Sequence, residues 1–323
     1  MDTCRHFLRA ALVLALALSW ASQAFAAAPK HPEQAPGFFR LKLGDVEVTA
    51  LYDGAGLVKP AMLHGAAPEQ LDALLLDAGL DPKVGEPIAI NAFLLNTGAS
   101  LILVDAGGGT ALGPRAGQLP ANLRAAGYEP GQVDVVLLTH MHGDHALGLL
   151  GPDNKPLYPN AVIRPAVAEA AYWLADATLA AAPEARKASI QGLRKMAEAY
   201  TALGKWKPFG PDEAPAEGVT AEKLPGHTPG QTGFWVRSQG QSLFFFGDTI
   251  HSSAVQFARP EVTIDYDSDQ AGAKAARLAL LSRLAKESCW VAGTHLQFPG
   301  IGRMKAQGKG YVWLPVRYTA PRD

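Results

Sequence analysis

Residues Val133–His145 read VDVVLLTHMHGDH. The first half, Val133–Leu138, is an apolar run that reads as a strand. The second half, Thr139–His145, holds three of the chain's nine histidines and an aspartate. On an extended segment alternate side chains project to one side, so His140 and His142 can reach a single metal ion. Asp144 and His145 follow directly and must diverge, which suits a second ion beside the first. Gly143 between them reads as a residue that permits an unusual backbone turn.

One ion needs about three protein donors and an open position; two ions need more than this cluster holds. Candidates lie downstream. "LPGHTPG" (Leu224–Gly230) puts His227 on a loop bent by glycine and proline. "LFFFGDT" (Leu243–Thr249) ends an apolar run at Asp248, and "WVAGTHLQFPG" (Trp290–Gly300) ends another at His295. Three apolar runs thus finish in a metal-type residue, as expected where a site sits at the carboxyl ends of strands. Asp248 is the one acidic candidate outside the cluster, and a carboxylate can bridge two cations. A lone histidine after a strand says little, but H-x-H-x-D-H is restrictive. His6, His31, His64 and His251 have no such context; His251 could line the site, but a bland role is expected.

The rest of the chain sets the frame. Arg5 and Arg9 precede an apolar run, Ala10–Leu18, and Ala24-Phe25-Ala26 resembles a cleavage site, so residues 1–26 read as a secretory signal peptide. Residues 27–36 read as a loose Ala/Pro leader and 37–323 as a single domain. The mature product is expected to be secreted or periplasmic, with no membrane contact after cleavage. Only Cys289 would remain, so no intramolecular disulfide forms. The net charge of −1 becomes −2 once Arg5, Arg9 and Asp2 leave. With no basic patch, nucleic acid is excluded as a partner. Strand pairs are expected at Phe38–Leu43/Val46–Tyr52, Ala89–Leu95/Leu101–Val104 and Phe234–Arg237/Leu243–Phe246. Helices are expected at Glu69–Asp77, Leu119–Ala126, Ala166–Ala177, Glu184–Leu203 and Asp269–Glu287. Strands and helices mixed in both halves point to a layered α/β domain.

With these residues in view, the chain resembles the metallo-β-lactamase superfamily over nearly all of its mature length. "LILVDAG" (Leu101–Gly107) looks like that family's early strand ending in Asp-x-Gly. The resemblance implies a four-layer αβ/βα sandwich. It implies that His140, His142 and His227 hold one ion, that Asp144, His145 and His295 hold the other, and that Asp248 bridges them. Asp105 would orient a ligand histidine. "PANLRAAGY" (Pro120–Tyr128), "PGHTPG" and His295–Tyr318 resemble the methyl parathion hydrolase group in particular. That likeness suggests Trp173 as a pocket residue, with Leu112 and Ile190 where the group has aromatic side chains, and it points to a homodimer. Simple helix packing is the other reading of Trp173.

Two ions acidify a shared water, and the hydroxide attacks an electrophilic carbon or phosphorus while Asp248 and Asp144 hold the site. Histidine and carboxylate donors favour zinc, with manganese, iron or cobalt as alternatives. The expectation is a dinuclear hydrolase of small neutral apolar esters: organophosphate triesters, aryl esters or lactones. The less aromatic pocket tips it towards lactones and aryl esters. The alternatives are a β-lactamase, disfavoured by Asp248; a thioester hydrolase, disfavoured by export; and a non-catalytic metal-binding module, disfavoured by the complete ligand set.

Overall fold

The apolar residues of the central strands alternate between two faces, and both faces are buried. Phe234 and Val236 join one core cluster while Trp235 between them joins another; Leu243 and Phe245 likewise split from Phe244 and Phe246. Strands buried on both sides must be covered on both sides, which calls for layers. The computed structural model describes residue 30 and residues 34–319. The expected signal peptide and most of the 27–36 leader lie outside the described residues.

Among the described residues fourteen strands form. They are β1 (Phe38–Leu43), β2 (Val46–Val58), β3 (Leu63–His64), β4 (Glu86–Asn96), β5 (Leu101–Val104), β6 (Val135–Leu137), β7 (Val162–Arg164), β8 (Val219–Lys223), β9 (Thr232–Ser238), β10 (Gln241–Phe245), β11 (Thr263–Ile264), β12 (Trp290–Ala292), β13 (Ile301–Gln307) and β14 (Gly310–Pro315). One six-stranded sheet has the order β1-β2-β4-β5-β6-β7, a second β14-β13-β12-β10-β9-β8, and β3 pairs with β11. The two large sheets face each other across a core that includes Phe39, Phe93, Leu95, Phe234 and Phe245. The Phe93 and Phe245 rings meet at 5.2 Å. Each such ring buried contributes roughly 1.5–3 kcal/mol.

Helices cover the outer faces. On the first sheet lie α1 (Pro68–Asp77), packed with Val58 at the end of β2 and Ile88 near the start of β4, then α2 (Leu119–Ala125), α4 (Val167–Leu174) and α6 (Glu184–Ala202), which pack with Leu94, Leu103 and Val136. The short α3 (Gly143–Ala146) and α5 (Asp176–Ala181) sit between them in sequence. On the second sheet, beyond the short α7 (Ser253–Gln256), lies α8 (Gln270–Glu287). It buries Leu280, Leu281 and Leu284 against Phe244, Phe246 and Val291. The order is helices, sheet, sheet, helix, the expected αβ/βα sandwich. Cys289 is buried in that outer core, as expected of a small apolar side chain.

Several local expectations are corrected. The single helix expected over Ala166–Ala177 is broken at Ala175, whose backbone is extended (φ −70°, ψ 137°). Strand β4 begins three residues earlier than expected, and the β8 strand and the β13–β14 hairpin were not foreseen. No described helix is long and apolar enough to cross a membrane.

Candidate metal centre and the cavity above it

Two parallel strand pairs aim at one point. β5 lies parallel to β6, and β10 to β12. Asp105 directly follows β5, while His140, Asp248 and His295 each stand three residues beyond their strands. Asp144 and His145 ride on α3, which begins straight after His142. Gly143 does not adopt the unusual backbone turn expected of it; it opens this helical turn. A Cβ there would come 3.1 Å from both Leu147 Cδ1 and Ser189 Oγ, so space is what the position limits. His227 comes from the β8–β9 loop. That loop is closed by the Leu224 N–H on the Gln231 carbonyl at 2.8 Å and pinned by the Ser268 N–H on the His227 carbonyl at 3.0 Å.

The seven expected donors meet in two groups, His140/His142/His227/Asp248 and Asp144/His145/His295, and a third group, Asp248/His251/His295, shares a member with each. His142 turns its Nδ1 inward, 3.0 Å from His140 Nε2 and 2.9 Å from His227 Nε2. Asp248 Oδ2 lies 3.6 and 3.4 Å from those same Nε2 atoms. In the other group His295 Nε2 is 3.4 Å and His145 Nε2 is 3.9 Å from Asp144 Oδ2. Asp248 divides its oxygens: Oδ2 faces His140 and His227 and also lies 3.0 Å from His295 Nε2, while Oδ1 lies 3.1 Å from His145 Nε2. Zn–N bonds of 2.0–2.1 Å in a tetrahedron put donors about 3.3 Å apart, and these separations bracket that value. His145 Nε2 and Asp248 Oδ1 are also buried with no hydrogen-bond partner. Such atoms are costly unless something satisfies them. The residues therefore fit a pair of cations.

The far ring nitrogens are held. Asp105 Oδ2 accepts from His145 Nδ1 at 2.9 Å, as expected, and the same carboxylate takes the Thr139 N–H at 2.8 Å. Its backbone is left-handed (φ 60°), a strained setting for a non-glycine residue. Asp267 Oδ1 meets His227 Nδ1 at 3.0 Å, and the Ala89 carbonyl meets His295 Nδ1 at 2.9 Å. Such contacts fix tautomer and ring angle. Without a cation, burial and the neighbouring histidines hold His140 and His142 well below the usual imidazole range. Burial pushes His145 the same way, but Asp248, Asp105 and Asp144 outweigh it and raise it. Burial would raise Asp248, yet the surrounding imidazoles hold it well below the ordinary carboxylate range. The site thus favours an ionised Asp248 and, in His140 and His142, two imidazoles in the neutral, metal-binding form.

His251 does not have the bland role expected. It is buried, its Nε2 lies 3.0 Å from Asp248 Oδ2, and its ring stacks on His295 at 5.1 Å. Sequence reading also passed over Asp267. The signal for His251 was its spacing of three from Asp248; Asp267 had none, since its partner His227 lies 40 residues away.

A cavity of ≈ 500 Å³ opens above the centre. His142, Asp144, Asp248 and His295 form its floor. Trp173, Leu112 and Ile190 all line it, with Met141 and Leu193, while Lys59, Arg115 and Arg186 stand at its margin. Trp173 packs its ring edge-on to His142 at 5.3 Å, and its indole N–H donates to Glu169 at 2.6 Å. It is therefore both a packed residue and a wall of the cavity.

Comparison with known proteins adds to this picture. Residues 85–295 match the family described as the metallo-beta-lactamase superfamily. Among solved structures, the hydrolase AbOPH in the beta lactamase superfamily is 35% identical and covers 89% of this chain and 100% of its own, with a TM-score of 0.85. AidC, a dizinc quorum-quenching lactonase in complex with the product N-hexanoyl-L-homoserine, is 28% identical, covers 88% and 98%, and gives 0.81. A probable metal-dependent hydrolase from Staphylococcus aureus, at 21% identity over 86% and 99% with 0.71, shares the fold. No curated protein sequence matches.

Proposed function

This chain belongs to the metallo-β-lactamase superfamily, and we propose that it is a dinuclear metallohydrolase of neutral apolar esters, in the methyl parathion hydrolase group. The observation that carries this reading is the place of Asp248 between the two groups, with Oδ2 towards His140, His227 and His295, Oδ1 towards His145, and Oδ1 and His145 Nε2 otherwise unsatisfied. Two divalent ions bound there, zinc first among the candidates, would acidify water and polarise the scissile group. The chain's own residues do the rest. His140, His142 and His227 would hold one ion and Asp144, His145 and His295 the other, with Asp248 between the two groups. Asp144, whose side chain is 25% exposed, is the carboxylate most open to the cavity.

The walls speak to the substrate. Trp173, Leu112, Ile190 and Leu193 exclude water from an apolar body, and aliphatic side chains stand where an aryl phosphotriester would favour rings. Lactones and aryl esters are therefore ranked ahead of phosphotriesters. The similarity to AidC, whose complex holds an opened lactone, supports that order. Lys59, Arg115 and Arg186 at the margin suit the carboxylate that ester opening releases. Export to the periplasm after Ala26 would place the enzyme among diffusible small esters.

The test is a side-by-side rate comparison on a lactone, an aryl ester, a phosphotriester and a β-lactam, with elemental analysis of the same preparation. Two ions per chain and fastest turnover of the lactone or aryl ester are expected. A single tightly bound ion overturns the bridging role of Asp248, and preference for the phosphotriester or β-lactam overturns the substrate order.

A further inference from the structure

Glu169 is a charged side chain with no solvent exposure and no part in the ligand set. It lies in the first turn of α4. Its two oxygens collect four donors from three separate segments. Oε1 accepts the Met141 N–H at 2.8 Å and the Trp173 indole N–H at 2.6 Å. Oε2 accepts the Thr228 hydroxyl at 2.8 Å and the Gly230 N–H at 2.9 Å. Met141 stands between the ligands His140 and His142, and Thr228 directly follows the ligand His227. One carboxylate thus ties together the two loops that carry the three-histidine group. The approach is close enough to dictate sequence: a Cβ on Gly230 would fall 2.3 Å from the Glu169 backbone nitrogen.

Asp105 makes the matching arrangement on the other side. It takes the Thr139 N–H, His145 Nδ1 and, at 3.4 Å, the Thr294 hydroxyl next to His295. A second buried carboxylate therefore joins ligand loops, reaching the His145 and His295 side directly and His140 only through the neighbouring Thr139. Unlike Asp105, Glu169 touches no ligand imidazole. It acts through backbone, and through Trp173, whose ring lies against His142.

We propose that Glu169 is a positioning residue of the three-histidine half-site, setting the spacing of the loops that carry His140, His142 and His227 and the angle of the Trp173 wall together, while Asp267 orients the His227 ring. The inference rests on the dinuclear reading above. Losing a group that orients metal ligands typically costs 10–100-fold in affinity. The cost should fall on one ion only, because the donors of the Asp144/His145/His295 group make no contact with Glu169.

The experiment is zinc titration of metal-free protein by calorimetry, with thermal unfolding recorded on each variant. Wild type is expected to bind two ions tightly, and Glu169→Gln to bind one as before and one about 10–100-fold more weakly. Placed on His295→Ala, which keeps the three-histidine group, Glu169→Gln should weaken the remaining ion by the same factor. On His142→Ala it should change nothing further. If Glu169→Gln does not fold, Thr228→Ala removes one donor from the same carboxylate, and a loss of at least about threefold, again confined to the His295→Ala background, is expected. Equal weakening of both ions, or two unweakened ions in a folded variant, overturns the proposal. Wild type binding fewer than two ions would instead overturn the dinuclear reading beneath it.

Discussion

Arg277 offers the sharpest test of how the fold supports the centre. It lies on α8 with 1% exposure. Its guanidinium donates to the carbonyls of Thr249 and Val262, both at 2.6 Å, and of Pro260 at 3.3 Å. Nη2 stands 3.6 Å from Asp267 Oδ2, on the carboxylate whose other oxygen meets His227 Nδ1. Arg277→Met keeps much of the volume but removes the cation. Breaking one side of a buried ion pair costs about 3–5 kcal/mol, mainly because the remaining charge is left uncompensated. For a domain of this size about 2 °C of Tm is lost per kcal/mol, so Tm should fall by about 6–10 °C. The measurement is urea and thermal unfolding of metal-free protein, since bound ions would add their own stabilisation. The double variant Arg277→Met/Asp267→Asn removes the stranded charge and should cost about 1–3 kcal/mol less than the sum of the single changes. A loss below about 1 kcal/mol for Arg277→Met, or strict additivity in the double variant, would refute the charge argument.

Other outcomes follow from the site. His142→Ala and Asp248→Ala should each lower kcat/KM on an aryl ester by at least about 1,000-fold, roughly 4 kcal/mol of barrier, with circular dichroism unchanged; near-native rates would remove both residues from the chemistry. Leu112→Phe should raise phosphotriester turnover relative to lactone turnover, and an unchanged ratio in competition assays would show that Leu112 does not meet the substrate. Burial, only partly offset by Asp248, pushes His251 down from 6.5 to about 4. Its unfolded form therefore binds a proton more readily than its folded form. The stability it carries is present above about pH 6.5 and is lost as pH falls towards 4. Between pH 7.5 and 5 the loss should be about 2 kcal/mol in metal-free protein, and His251→Asn should remove that increment; identical pH profiles for the two proteins would contradict it.

How much of this was legible beforehand depends on what each residue needs as a partner. The strand faces were legible because alternation is local: Phe234, Trp235 and Val236 carry their own pattern. The donors His140, His142, Asp144 and His145 were legible because the chemistry sits within six residues. His227, Asp248 and His295 could be read because each closes a recognisable loop or strand end. Glu169, Asp267 and Arg277 could not. Each is a charged side chain in a segment that reads as ordinary helix or loop, and each owes its burial to groups 15 to 61 residues away. Sequence records the charge but not the desolvation that makes it matter. The break at Ala175 was missed for a related reason, since nothing in Leu174-Ala175-Asp176 disfavours a helix and packing alone decides it.

The loop bearing Leu112 and Arg115 has one further consequence. Its short helical segment, Gly109–Arg115, buries none of its side chains. Its flanks are gripped by a single carboxylate, with Asp53 accepting the N–H groups of Gly108, Gly117 and Leu119 at 2.8, 3.1 and 3.0 Å. Anchor and variable surface are thus separate. Apart from Gly109 and Gly113, whose backbone is left-handed, residues between the grips can be exchanged without opening a void in the interior, so selection for a new ester can explore this wall at little thermodynamic penalty, whereas Asp53 itself is fixed by the amides it must satisfy.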